Sequence, residues 1–142
     1  MKTYAYLAAS AAAIAALTLG SNAAQAQDAD IAFNAALTSD YVFRGVSQTN
    51  EDPALSGGVD ATIGSFYVGA WGSNVDFGDS TDAEFDVYGG YRTELGGFGV
   101  DVGVVGYLYL DEPSAADYNY VEYKLAVSRA VGPVSAGAVI YY

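Results

Sequence analysis

The 142-residue chain contains no cysteine and no histidine. Disulfide frameworks, thiolate or imidazole metal sites, cysteine nucleophiles and Ser-His-Asp triads are therefore excluded. Basic residues are scarce: 5 Lys+Arg stand against 17 Asp+Glu, a formal charge of −12. Such a chain repels the phosphates of nucleic acid, which removes that class of partner. Only 15% of residues are charged and only 3 are proline, whereas glycine (17) and tyrosine (13) are used heavily. A single domain of this composition fits an outer-membrane strand protein better than a soluble one.

The N-terminus reads as an address. Met1-Lys2 is a short basic start, an apolar run extends from Tyr6 to Leu19, and Ala24-Gln25-Ala26 supplies a small-x-small cleavage pattern. The run is shorter than the roughly 20 residues a spanning helix needs, so residues 1–26 are expected to be a secretory signal peptide. Any membrane role of residues 27–142 must then come from strands.

Those residues alternate in polarity with the period of a strand. Ile31, Phe33, Ala35, Leu37, Tyr41 and Phe43 oppose Asn34, Thr38, Asp40 and Arg44. The segments Leu55–Ile63, Phe85–Leu95, Phe98–Leu110 and Val121–Val127 repeat the pattern, Val134–Tyr142 does so more weakly, and Phe66–Phe77 carries apolar residues on both faces. Within strands the charges keep one parity: Asp40 with Arg44, Glu84 with Asp86, Arg92 and Glu94, and Glu122 with Lys124. Alternation alone also suits a soluble sandwich. Loop lengths favour the barrel, because the connections alternate long and short: Ser47–Pro53, Gly64-Ser65, Gly78–Ala83, Gly96-Gly97, Asp111–Asp117 and Arg129–Pro133. Tight turns at one end and long, acidic loops at the other are the asymmetry of outer-membrane barrels. Tyr41, Phe43, Phe66, Tyr67, Phe77, Phe98, Tyr107, Tyr109, Tyr118 and Tyr120 lie near strand ends, where an interfacial aromatic girdle belongs.

The count is seven strands, and an odd count leaves two unpaired edges. The expectation is that the chain is the N-terminal part of a larger barrel; homo-oligomeric closure and a miscounted strand are the alternatives.

No motif supplies catalysis. Gly96–Val102 matches one calcium-binding nonapeptide of a β-helix, an architecture that needs tandem copies, so a tight turn into a strand is the better reading. Asp79–Glu84 offers oxygen ligands for weak binding of divalent cations but lacks EF-hand spacing. Glu84 and Asp86 have no identifiable nucleophile or oxyanion donor beside them. No catalytic residue, cofactor or resident metal is expected.

The segment Ser39-Asp40-Tyr41-Val42-Phe43-Arg44-Gly45-Val46-Ser47-Gln48-Thr49 resembles the opening signature of the porin-like proteins of TorF type, an uncharacterised proteobacterial family. Phe66–Val75, Glu84–Tyr91 and Tyr120-Val121-Glu122 resemble later blocks of that family. Leu110 departs from it, standing where the family tends to place proline. The resemblance implies an outer-membrane β-barrel of channel type, without an established substrate.

The expectation is therefore an all-β, antiparallel, up-and-down transmembrane barrel in the outer membrane of a Gram-negative bacterium, passing small solutes. Its lumen is expected to be lined by Asp40, Arg44, Asp60, Glu84, Asp86, Arg92, Asp101, Glu122 and Lys124, an acidic excess that favours cations. A non-conducting structural or partner-binding barrel and a soluble periplasmic β-sandwich are the rival readings.

Overall fold

The computed structural model describes residues 29–142; the expected signal peptide lies outside the described residues. Among the described residues nine strands form: β1 (Asp30–Thr38), β2 (Val42–Phe43), β3 (Val46–Ser47), β4 (Ala54–Ile63), β5 (Phe66–Asn74), β6 (Ala83–Leu95), β7 (Phe98–Leu110), β8 (Tyr120–Val131) and β9 (Val134–Tyr141). Seven of them make one antiparallel sheet in the order β1-β4-β5-β6-β7-β8-β9, while β2 and β3 form a small separate hairpin. The sheet curls into a half-barrel whose described edges, β1 and β9, do not meet.

Glycine sets the tight end. The two-residue turns Gly64-Ser65, Gly96-Gly97 and Gly132-Pro133 each begin on a glycine with positive φ (59°, 61° and 61°), the conformation primed hairpin turns require. The β8–β9 connection is thus as tight as the other two, shorter than its sequence suggests. At the opposite end the connections are 39–53, 75–82 and 111–119.

The first of these differs most from the sequence pattern. Alternation through Phe43 suggests one long strand, yet β1 stops at Thr38 and residues 39–53 turn back. Asp40 explains the break: its Oδ1 accepts the Ser47 hydroxyl at 2.7 Å and lies 3.0 Å from Thr49 Oγ1, which in turn accepts the Tyr41 N–H at 3.1 Å. Side-chain acceptors of this kind compete with ladder pairing. Thr49 is fully buried, and Arg44 and Gly45 take positive φ to turn the β2–β3 tip.

Register divides every strand of the large sheet into two faces. Cross-strand partners along one row are Asn34, Gly58, Trp71, Asp86 and Tyr107; along an adjacent row they are Phe33, Val59, Ala70, Val87 and Gly106. The first kind of row is concave and polar, the second convex and apolar. Phe66–Phe77 is thereby resolved, with Phe66, Val68 and Ala70 convex and Tyr67, Gly69 and Trp71 concave.

The convex side chains are not a core. Leu37 is 77% exposed, Leu55 66% and Ile140 65%, and no second sheet covers them among the described residues. The stacked layers of a sandwich are therefore not formed there. One charged residue, Arg129, stands on the convex face of the described strands; it lies beside the β8–β9 turn with its guanidinium 4.7 Å from the Phe98 ring centroid.

Candidate functional site

The concave wall is built from glycine and tyrosine. Glycines on it leave room for rings from strands one or two places away to lie against the backbone. A Cβ added to Gly69 would fall 2.5 Å from the Tyr88 ring, and one added to Gly103 would fall 2.6 Å from the Tyr67 hydroxyl. The rings so placed deliver their hydroxyls to carboxylates. Tyr88 donates to Asp60 at 2.7 Å, Tyr67 to Asp101 at 2.8 Å, Tyr107 to Glu122 at 3.0 Å and Tyr41 to Glu84 at 3.1 Å. Three of these bonds join parts of the wall that are not paired neighbours, β4 to β6, β5 to β7 and residues 39–53 to β6, while Tyr107–Glu122 reinforces the β7–β8 pair.

The charged groups fall into three layers between the loop end and the turn end. Nearest the loops, Glu84 and Asp86 lie side by side on β6, opposite Tyr109 and Tyr107. No basic side chain among the described residues reaches salt-bridge distance of either, and Glu84 Oε2 and Asp86 Oδ1 are buried without a hydrogen-bond partner. Next, the tip of the β2–β3 hairpin folds over the concave side, and Arg44 grips Glu122 with two bonds, Nη1 to Oε1 at 2.8 Å and Nη2 to Oε2 at 2.6 Å. Its guanidinium lies 4.6 Å from the Phe43 ring and 4.9 Å from that of Tyr141, and Phe43 contacts Tyr107. The 39–53 segment is thus a strap anchored on β8. Toward the turns, Asp101 Oδ2 receives two cations, Lys124 Nζ at 2.7 Å and Arg92 Nε at 3.2 Å.

Eight of the nine residues predicted to line a lumen belong to this wall or reach it from the strap: Arg44, Asp60, Glu84, Asp86, Arg92, Asp101, Glu122 and Lys124. Asp40 instead organises the strap's own turn. Register adds Asp30 and Glu94 to the concave face, together with Tyr67, Tyr88, Tyr107 and Trp71. Tyr88 and Tyr107 share parity with Glu84, Asp86 and Asp101 and so were open to a reader of the alternation, whereas Tyr67 lies on β5, which carries no charge to mark its faces. The expected girdle divides accordingly. Phe66 and Phe98 stand on the convex face near the turns, with Tyr91 against Phe66, whereas Tyr41, Tyr67, Tyr107, Tyr109 and Tyr120 belong to the interior.

The acidic loop 75–82 is tied to its neighbour. Asp79 accepts the Thr81 N–H and the Tyr118 hydroxyl, each at 2.8 Å, and these donors hold its carboxyl below the usual carboxylate range. The Asp79 carboxylate in turn raises the Tyr118 phenol. Gly96 and Gly97 form the tight turn before Asp101, with φ of 61° and 79°.

No curated protein and no solved structure matches the chain. Residues 22–142 match a family described as "Bacterial protein of unknown function (Gcw_chp)". With that match spanning most of its length, the chain belongs to the Gcw_chp family.

Proposed function

We propose that the chain forms, alone or with further strands, an outer-membrane β-barrel that lets small solutes diffuse along its polar concave wall. The observation that carries this reading is the division of one curled sheet into an exposed apolar convex face and a polar concave face rich in carboxyl and basic groups. A contiguous apolar surface of this extent calls for a nonpolar surrounding, and in hydrocarbon a strand protein satisfies its backbone by closing its sheet. The resemblance read from Ser39–Thr49 and Phe66–Val75 to the uncharacterised porin-like family of TorF type agrees with this reading. The unpaired Glu84 and Asp86 give the wall an acidic excess near the loops, which favours cations. No catalytic role is proposed.

Neighbouring residues of β8 provide the test. Leu125 is convex and Ala126 concave. Arginine on the lipid side near the bilayer midplane costs about 2–4 kcal/mol, whereas a lumen position tolerates it. Leu125→Arg is expected to block folding into lipid vesicles and Ala126→Arg to permit it; equal behaviour of the two refutes a membrane-facing convex side. Planar-bilayer recordings of the folded wild type should then show conductance steps with cation-favouring reversal potentials. Folding without steps would leave a structural barrel, and release from cells by osmotic shock without detergent would favour a soluble protein.

A further inference from the structure

Below the strap, the concave wall holds a cavity of about 230 Å³ bounded by the rings of Tyr67, Tyr88, Tyr107 and Tyr141 and by Arg92 and Lys124. Its charge differs from that of the wall as a whole. The two cations share a single oxygen, Asp101 Oδ2, so the Arg92–Asp101–Lys124 cluster carries one net positive charge. Their donors are also in surplus. Lys124 uses one of its three N–H donors on Asp101, and Arg92 uses Nε alone, leaving both Nη groups without a hydrogen bond among the described residues. The Arg92 guanidinium lies 4.0 Å from the Tyr67 ring centroid.

Three of the four rings have already committed their hydroxyl protons, Tyr67 to Asp101, Tyr88 to Asp60 and Tyr107 to Glu122. What they offer an occupant is aromatic surface, extended by Val105. Pockets for drug-sized ligands run to about 300–1,000 Å³, so this one suits a smaller molecule. We infer that this cavity binds a small organic monoanion with a single apolar ring, its carboxylate on Arg92 and Lys124 and its ring among the tyrosines. The inference rests on the concave face being open to water, as in the channel reading. It places an anion-binding step beyond the acidic layer of Glu84 and Asp86, a site at which a solute pauses rather than a uniform charge filter.

Binding to the folded protein in detergent micelles, read by calorimetry without any conductance, separates this inference from the channel itself. Benzoate is the probe, with benzyl alcohol and benzylammonium as neutral and cationic analogues. Benzoate is expected to bind at least tenfold more tightly than either. Lys124→Gln should weaken benzoate binding about tenfold, with Lys124→Arg retaining most of it. Asp101→Asn frees both cations and should strengthen benzoate binding several-fold, a gain that damage to the fold would not produce. Equal affinity for the three probes, preference for benzylammonium, or weaker benzoate binding in folded Asp101→Asn would overturn the assignment.

Discussion

Gly69→Ala tests the glycine–tyrosine construction of the wall most directly. The new methyl would sit 2.5 Å from two Tyr88 ring carbons and 2.6 Å from its hydroxyl, so the ring must leave the sheet surface. Its 2.7 Å bond to Asp60 is then lost. Hydrogen bonds to charged groups contribute about 1.5–3 kcal/mol, and the half-buried setting argues for the lower part of that range. Reduced freedom of the unfolded chain returns about 0.4–1 kcal/mol, leaving a net loss of about 1 kcal/mol. Gly106→Ala is the matched control. On the convex face of β7 its methyl meets Val121 and Val87 at 3.9 Å, an ordinary contact, so the same gain in the unfolded chain should stabilise by up to about 1 kcal/mol. Urea unfolding in detergent micelles should move the two midpoints in opposite directions. Tyr88→Phe should cost about 1.5–2 kcal/mol by itself and add almost nothing to Gly69→Ala, since the hydroxyl bond is already gone. If Gly69→Ala is as stable as Gly106→Ala, or if the double variant is additive, Gly69 is not there to seat the ring.

The strap and the loop tether give two further predictions. Arg44→Ala removes both bonds to Glu122; with the arginine side chain 48% exposed, solvent screening limits the cost to about 1 kcal/mol. Proteolytic nicking within residues 39–53 should rise several-fold while the unfolding midpoint falls no further than it does for Gly69→Ala, and unchanged nicking would mean that Arg44 does not hold the strap. For Asp79, whose folded carboxyl is depressed by the Thr81 N–H and the Tyr118 hydroxyl, the tether's contribution is complete above the unfolded value of about 3.9 and is lost only as pH falls through the lower folded value. The Thr81 amide resonance should therefore stay constant from pH 7 to 5 and shift with a midpoint below about 3.9; a midpoint above that contradicts the tether.

Much of this architecture was legible because strand chemistry writes itself at period two. Parity put Glu84, Asp86, Arg92, Glu122 and Lys124 on one face, and register placed them there. Short glycine turns located two of the connections, Gly64-Ser65 and Gly96-Gly97, whereas the third is shorter than the Arg129–Pro133 that the sequence suggests. What parity could not reveal is depth and partnership. Asp40 continues the alternation of β1, yet its carboxylate captures Ser47 and Thr49 and ends the strand, a competition among side chains distant by several residues. Tyr67 looked interfacial by its nearness to a turn, and on a strand without charges only the cross-strand glycines and the facing Asp101 decide that it turns inward. The Arg44–Glu122 clamp spans residues far apart in the chain and left no local trace.

The two-residue glycine turns also give the molecule two poles with opposite tolerance for change in length. A residue inserted at Gly96-Gly97 would shift the β6–β7 register and exchange the faces of every side chain beyond it, presenting Asp101 to the convex apolar side and Val102 to the concave polar one. Along 75–82 or 111–119 an extra residue disturbs no ladder. Insertions, epitope tags and evolutionary drift in length should therefore gather at one end of the sheet, leaving the other frozen.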